Sequence, residues 1–292
     1  LSLHDALPIS PDAMFRLAEL YFEKSSDDFL RESRAYEDEL IAWERGERAP
    51  EPPAPAPRYD QTIGLHRELL QRFPGYRLAD AARYLLGYAY GEMGREDESL
   101  AAYRSLVDNH PGSKFLPEVW TRIGEIHFDG NSRASLEKAI DAYGEVLAFE
   151  DSPYYDKALY KIAWTYYRLD AFDEAVDSFI QLVRYADEQR EATGVTGSEL
   201  REEAIQYVAI SLADDAWGGF DTAQRKLGPI DDEPFTQELW KRYGEVLFEQ
   251  TRYRDAVRAL AHTVETYPDA PSNPEAQAKI VQAYEQLRDF DA

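Results

Sequence analysis

The chain has 292 residues, 44% hydrophobic and 13% aromatic, with 56 acidic against 32 basic side chains and a formal charge of −24. That charge excludes a phosphate-backbone binder and disfavours docking on anionic lipid, while the apolar content is too high for a disordered acidic tail. With no cysteine there is no disulfide, thiolate metal site or Cys nucleophile, and no run of about 18 apolar residues is present to span a membrane.

The opening LSLHDALPIS lacks the basic start and apolar stretch of a signal peptide, resembles translated adaptor sequence, and is read as a non-native leader over residues 1–10. From Pro11 onward apolar residues recur at i, i+3, i+4 and i+7, and no strand-like alternation competes, so the chain is predicted to be all-α. One set of segments runs PDAMFRLAELYF, ADAARYLLGYAY, PEVWTRIGEIHF, KALYKIAWTYY, EEAIQYVAISLA, ELWKRYGEVLF and EAQAKIVQAYEQL. A second set, TIGLHRELLQRF, DESLAAYRSLV, LEKAIDAYGEVL, DEAVDSFIQLV and RDAVRALAHTV, alternates with it as the two arms of helix hairpins do. Pro11, Pro117 and Pro274 stand at first-turn positions, Ser198 and Asn273 offer N-cap oxygens, and Pro74, Pro111 and Pro268 each stop a preceding helix.

The first hairpin spans residues 11–74 and carries an insertion: an acidic helix near residues 27–45, then the linker GERAPEPPAPAPR at residues 46–58. Its prolines favour a stiff polyproline spacer. Residues 75–292 hold about five further hairpins, and the last helical segment, followed by LRDFDA, reads as the first arm of a truncated hairpin.

A small residue falls in each first arm at Ala18, Gly87, Gly124, Ala163, Ala209 and Gly244, at intervals of 69, 37, 39, 46 and 35. From Gly87, Ala163 and Gly244, a second small residue follows twelve later at Ser99, Ala175 and Ala256, and Tyr103, Phe179 or Leu260 follows four beyond that. This spacing, with Trp120-Ile123-Gly124 and Trp240-Tyr243-Gly244-Leu247-Ala256-Pro268, resembles the tetratricopeptide repeat (TPR). The resemblance implies a right-handed superhelical solenoid of antiparallel helix hairpins, acting as a protein–protein interaction scaffold without catalytic activity. The unit around Ala209 fits worst, because GGFDTAQRKLG is short. More narrowly, PDAMFRLAELYFEKS and ALYKIAWTYYRLDAFDEAVDSFIQLV are similar to envelope TPR proteins of deltaproteobacteria, especially myxobacteria, such as BamD-type assembly lipoproteins and gliding-motility adaptors. That similarity implies the periplasm or the periplasmic face of the outer membrane. A cytoplasmic adaptor, or the interaction domain of an enzyme lying beyond this segment, are the alternatives.

No constellation carries chemistry. His4, His66, His110, His127 and His262 include no i, i+4 pair, phosphate-binding and nucleophile-elbow signatures are absent, and no cofactor, metal or catalytic residue is expected. What remains is a surface for another polypeptide. The family resemblance implies that an extended peptide or amphipathic helix is held on the concave face, by positions flanking each small residue. These are Phe15, Glu19 and Phe22; Tyr84 and Tyr88; Thr121, Glu125 and Phe128; Tyr160, Trp164 and Tyr167; Gln206 and Ile210; and Lys241, Glu245 and Phe248. Tyr166 fits the buried position beside Trp164 and Tyr167, which pack either into a groove or between repeats. Glu19, Glu23, Glu92, Glu118, Glu125, Asp129, Glu203, Asp214, Glu238 and Glu245 outnumber Lys157, Arg168 and Lys241 on these faces, which steers a basic partner inward.

Overall fold

The computed structural model describes residues 9–195 and 197–288. Residues 1–8 of the expected leader, with His4, and residues 289–292 of the final LRDFDA turn lie outside the described residues. Thirteen α-helices and no strand occur among the described residues, in two compact units, Leu1–Ile126 and His127–Ala292.

The first unit holds α1 (Pro11–Glu44), α2 (Asp60–Arg72), α3 (Ala79–Glu92), α4 (Glu96–Asn109) and the greater part of α5 (Leu116–Asp129). Ser10 caps α1 by accepting from the Ala13 N–H, with Pro11 at the first helical position. The expected first arm and acidic helix are one continuous helix of 34 residues, because no Pro or Gly after Pro11 interrupts it. Only Met14, Phe15 and Ala18 of this helix are buried, and Leu30 and Ile41 are exposed. The proline-rich segment lies along its second half, where Arg58 pairs with Glu32, Arg48 pairs with Glu39, and Pro53, Ala54 and Pro55 face Ala35 and Tyr36.

Small residues set the spacing of the hairpins. The Thr62 hydroxyl donates to the Ala18 carbonyl oxygen at 3.2 Å, and the Ser99 hydroxyl donates to the Gly87 carbonyl oxygen at 2.7 Å. The bare Cα of Gly87 receives the ring of Tyr103: a Cβ there would stand 2.5 Å from the ring. On α2, His66 is fully buried with its ring edge-on to Phe15 at 5.6 Å, and neither ring nitrogen has a hydrogen-bond partner among the described residues.

The second unit contains α6 (Arg133–Val146), α7 (Tyr155–Arg168), α8 (Phe172–Thr193), α9 (Arg201–Leu212), α10 (Phe220–Leu227), α11 (Thr236–Glu249), α12 (Tyr253–Thr266) and α13 (Asn273–Leu287). Ser132 caps α6, and the Ser135 hydroxyl donates to the His127 carbonyl oxygen to close the longer turn before it. A continuous core runs from Leu159 to Ala259, with Phe179, Trp240 and Tyr243 almost fully buried. The wide interval between Ala163 and Ala209 is taken up by α8, whose 22 residues end at Gly194 with φ +71°.

The unit around Ala209 is shaped by its glycines. Gly219 has φ +106°, and a Cβ on Gly218 would meet the Leu212 carbonyl oxygen at 2.2 Å, so the chain turns there in a way that only glycine permits. The eight-residue α10 is fastened to α8 by Asp173, which accepts from Trp217 Nε1 at 3.0 Å and from Arg225 at 2.7 Å. The Arg225 hydrogen bond, more than any other contact, holds the Asp173 carboxyl well below the usual carboxylate range. With so short a second arm, α9 packs directly on α11.

Two expected N-caps have different roles. Ser198 lies in the turn before α9, where its hydroxyl accepts from the Leu200 N–H and donates to Asp156; Ser113 does the same for Phe115 and Asp80 before α5. Each serine ties one first arm to the turn that opens the next. Asn273 is the first residue of α13, and its amide donates back to the Tyr267 and Pro268 carbonyl oxygens instead of capping the helix.

Burial lowers the His66 pKa from 6.5 to about 4, so the unfolded chain takes up this proton at higher pH than the folded one. Its contribution to stability is intact above pH 6.5 and declines as pH falls toward 4, by about 3 kcal/mol in all. Urea unfolding of the wild type and His66→Leu at pH 7 and pH 4.5 should show the wild type losing more stability; parallel losses would refute the assignment. In thermal melts, Gly87→Ala should cost about 1–3 kcal/mol through overpacking against Tyr103. Gly64→Ala, whose Cβ meets nothing within 4 Å, should gain up to about 1 kcal/mol from helix propensity.

Candidate functional site

Each first arm buries its small residue, at Gly87 against Tyr103 and at Gly244 against Leu260 of its own hairpin. It leaves a face formed by the residues three before, one after and four after that position. At α3 these are Tyr84 and Tyr88; at α5, Thr121, Glu125 and Phe128; at α7, Tyr160, Trp164 and Tyr167; at α11, Lys241, Glu245 and Phe248. All except Thr121 are half-buried, a state that combines contact with access.

Two expected members of the face belong to the interior. Phe15 is 8% exposed, wedged against His66 and Tyr76, because α2 presents His66 directly beneath it. Thr121 is buried, and its hydroxyl donates to the Pro117 carbonyl oxygen one turn back in its own helix. Conversely, Tyr166 is only half-buried, and Thr165 is the fully buried residue at this end of α7.

The remaining residues join each first arm to the next. In the first unit, Phe22 stacks on Tyr59 and meets Tyr88 edge-on, with centroids 4.7 and 5.7 Å away. Tyr84 stacks on Phe115 and donates to Glu118 at 2.7 Å. The guanidinium of Arg122 lies over the Tyr88 ring at 4.7 Å and bonds Glu118 at 2.8 Å. Glu125 sits one turn further along the same helix.

In the second unit the Phe128 ring lies beneath Arg168 at 4.2 Å and Lys161 at 5.0 Å. Tyr160 donates to Glu203 at 2.7 Å, and burial together with that carboxylate pushes its pKa up to about 12. Trp164 meets Tyr207 edge-on at 4.4 Å and is also within ring contact of Tyr160, Tyr167 and Phe179. Gln206 accepts from Arg242, and Ile210 packs against the core. Lys241 bonds Glu275, while Glu245 is approached by Lys241, Arg242 and Lys279, the last also lying over Phe248 at 5.5 Å.

The acidity of the faces is therefore lower than residue counting implies. Glu19 and Glu23 are held by Arg16, Glu118 by Arg122, and Glu238 by Arg201. Arg201 is 13% exposed and also grips Asp187, tying α8, α9 and α11 together. The residues that sequence reasoning missed are these cations. A signal for several of them existed: Arg122, Lys161 and Arg242 each stand two residues before a small residue. Among the described residues no cluster of three or more His, Asp or Glu is arranged to hold a metal, and no helix is long and apolar enough to cross a membrane.

Trp164 thus packs neighbouring arms together while remaining accessible. Trp164→Ala should lower stability by about 1–3 kcal/mol. A double-mutant cycle with Tyr207→Ala should give a coupling of about 1 kcal/mol in chemical denaturation; strict additivity would show that the two rings do not support each other.

Comparison with known proteins finds one repeat family in two segments of the chain. Residues 81–113 and 157–187 match the tetratricopeptide repeat family. No curated protein matches the chain. Solved structures similar to it include the C-terminal part of a TPR repeat-containing protein from Cytophaga hutchinsonii, with 12% identity, a TM-score of 0.43, and coverage of 95% of this chain and 100% of that one. Another is a tetratricopeptide repeat protein from Parabacteroides merdae, with 14% identity, a TM-score of 0.42, and coverage of 92% and 94%. The segments that match the tetratricopeptide repeat family are the hairpins α3–α4 and α7–α8, which bury Gly87 against Tyr103 and gather Ala163 and Phe179 in one core.

Proposed function

We propose that this chain is a non-catalytic scaffold that holds a partner polypeptide along the faces of its first arms, as an extended peptide or an amphipathic helix. The observation that carries this reading is the recurrence of half-buried aromatic and charged side chains at the positions three before, one after and four after the buried small residue, in α3, α5, α7 and α11. Tyr and Trp supply contact area at low entropic cost and dominate binding hot spots, so Tyr84, Tyr88, Tyr160, Trp164 and Tyr167 suit such a surface. Partner binding is the general use of tetratricopeptide hairpins, which supports the same reading. The similarity of PDAMFRLAELYFEKS and the α7–α8 sequence to envelope TPR proteins supports a place in a bacterial cell-envelope assembly, in the periplasm or on the periplasmic face of the outer membrane.

Photo-crosslinking in cells tests this. A benzophenone amino acid placed at Tyr88, Tyr167 or Phe248 should yield discrete partner adducts, whereas the same probe at Lys138 or Asp177 on second arms should not. Adducts confined to the second arms would overturn the reading. Fractionation of the same cells reports the compartment, and recovery in the cytosol alone would defeat the envelope assignment.

A further inference from the structure

The residue two before the small residue of a first arm is a cation in α5, α7 and α11: Arg122 before Gly124, Lys161 before Ala163, and Arg242 before Gly244. Each reaches back to the preceding first arm. Arg122 lies over Tyr88, Lys161 lies over Phe128, and Arg242 donates to Gln206. Helix α3 has Leu85 at this position, and α9 has Tyr207 before Ala209. The residue it meets is Trp164, which stands one after Ala163 just as Tyr88 stands one after Gly87. Where the α3–α5 step sets a guanidinium on a ring, the α7–α9 step therefore sets a ring on a ring.

The consequence is a group of four half-buried rings, Tyr160, Trp164, Tyr167 and Tyr207, over which no cation lies among the described residues. One carboxylate touches it and two more lie near enough to act on it. Glu203 is exposed and accepts from Tyr160, while the Tyr167 pKa is raised first by burial and then by Asp214, Tyr207 and Asp170. Glu203, Asp214 and Asp170 have no ion-pair partner among the described residues, although most acids on the neighbouring faces do. The negative faces of aromatic rings and carboxylates without an ion-pair partner favour the same ligand, a planar cation that can stack and hydrogen-bond at once.

We infer that the α7–α9 step is a receptor for an arginine side chain of the partner polypeptide, which supplies from outside the cation that Arg122, Lys161 and Arg242 supply within the chain. The inference rests on the reading of the first-arm faces as the binding surface, and adds to it the chemistry of one contact. Tyr207 is its specificity-determining residue, and Glu203 is the carboxylate best placed to receive the guanidinium.

Selection of a random twelve-residue peptide library on the whole chain tests this. Recovered peptides should be enriched in arginine, and replacing that arginine by citrulline should weaken binding at least about tenfold in calorimetry. Tyr207→Arg, which restores the repeat's own cation, should weaken binding by a similar factor while retaining the helical circular dichroism and a cooperative thermal transition. If that variant fails to fold, Glu203→Lys at its exposed position decides, with the same expected loss. Peptides without a basic residue, or binding indifferent to citrulline, to Tyr207→Arg in folded form and to Glu203→Lys, would overturn the arginine site. The scaffold reading would survive that result, provided the peptides crosslink to first-arm positions. Recovery of no peptide at all, or of peptides that crosslink only to second arms, would overturn both.

Discussion

The structure depends on the close approach of two helices at a residue with little or no side chain. At Gly87 and Gly244 the facing Tyr103 and Leu260 occupy the volume that a Cβ would need. At Ala18 the same proximity lets the Thr62 hydroxyl reach the helix backbone. This contact fixes the depth at which a second arm lies on its first arm, and hence which side chains of the first arm go inward. Interiors packed to crystal-like density do not tolerate an alternative depth, so one small residue per hairpin settles the fate of the positions around it.

Much of this was legible in the sequence because it is periodic. The spacing of small residues, the twelve-residue step to Ser99, Ala175 and Ala256, and the bulky residue four beyond are local signals, and the structure buries all of them. The shortness of α10 was legible in Gly218-Gly219. The continuity of α1 was not, since a weak helix former such as Ser25-Ser26 looks like a boundary although nothing compels one. Phe15 was placed on the wrong side because its burial is decided by His66, some fifty residues away, and no local pattern announces that pairing.

Charge was the least readable quantity. The composition counts acids and bases but not who faces whom, and the excess of acids suggested bare negative faces. Arg201 and Arg242 each hold more than one carboxylate, so one cation neutralises several acids. Long, partly buried cationic side chains also cover ring surface, as Arg122 does over Tyr88. The first-arm faces consequently do two jobs with the same atoms: they join consecutive arms, and they offer the remaining half of each ring to solvent. A surface of this kind is rigid before it meets a ligand, which limits the entropy lost when one binds.

The brevity of α10 bears on how the second unit comes apart. In an array of repeats, stability divides into what each repeat holds on its own and what its interfaces add. The repeat around Ala209 holds little, with eight residues in its second arm, yet its interfaces are strong: α9 lies directly on α11, Arg201 grips both neighbours, and a single core crosses it from Leu159 to Ala259. Such an element cannot remain folded alone and cannot be lost without exposing its neighbours. It acts as a coupler, making the hairpins on either side of it melt as one cooperative block instead of fraying in turn.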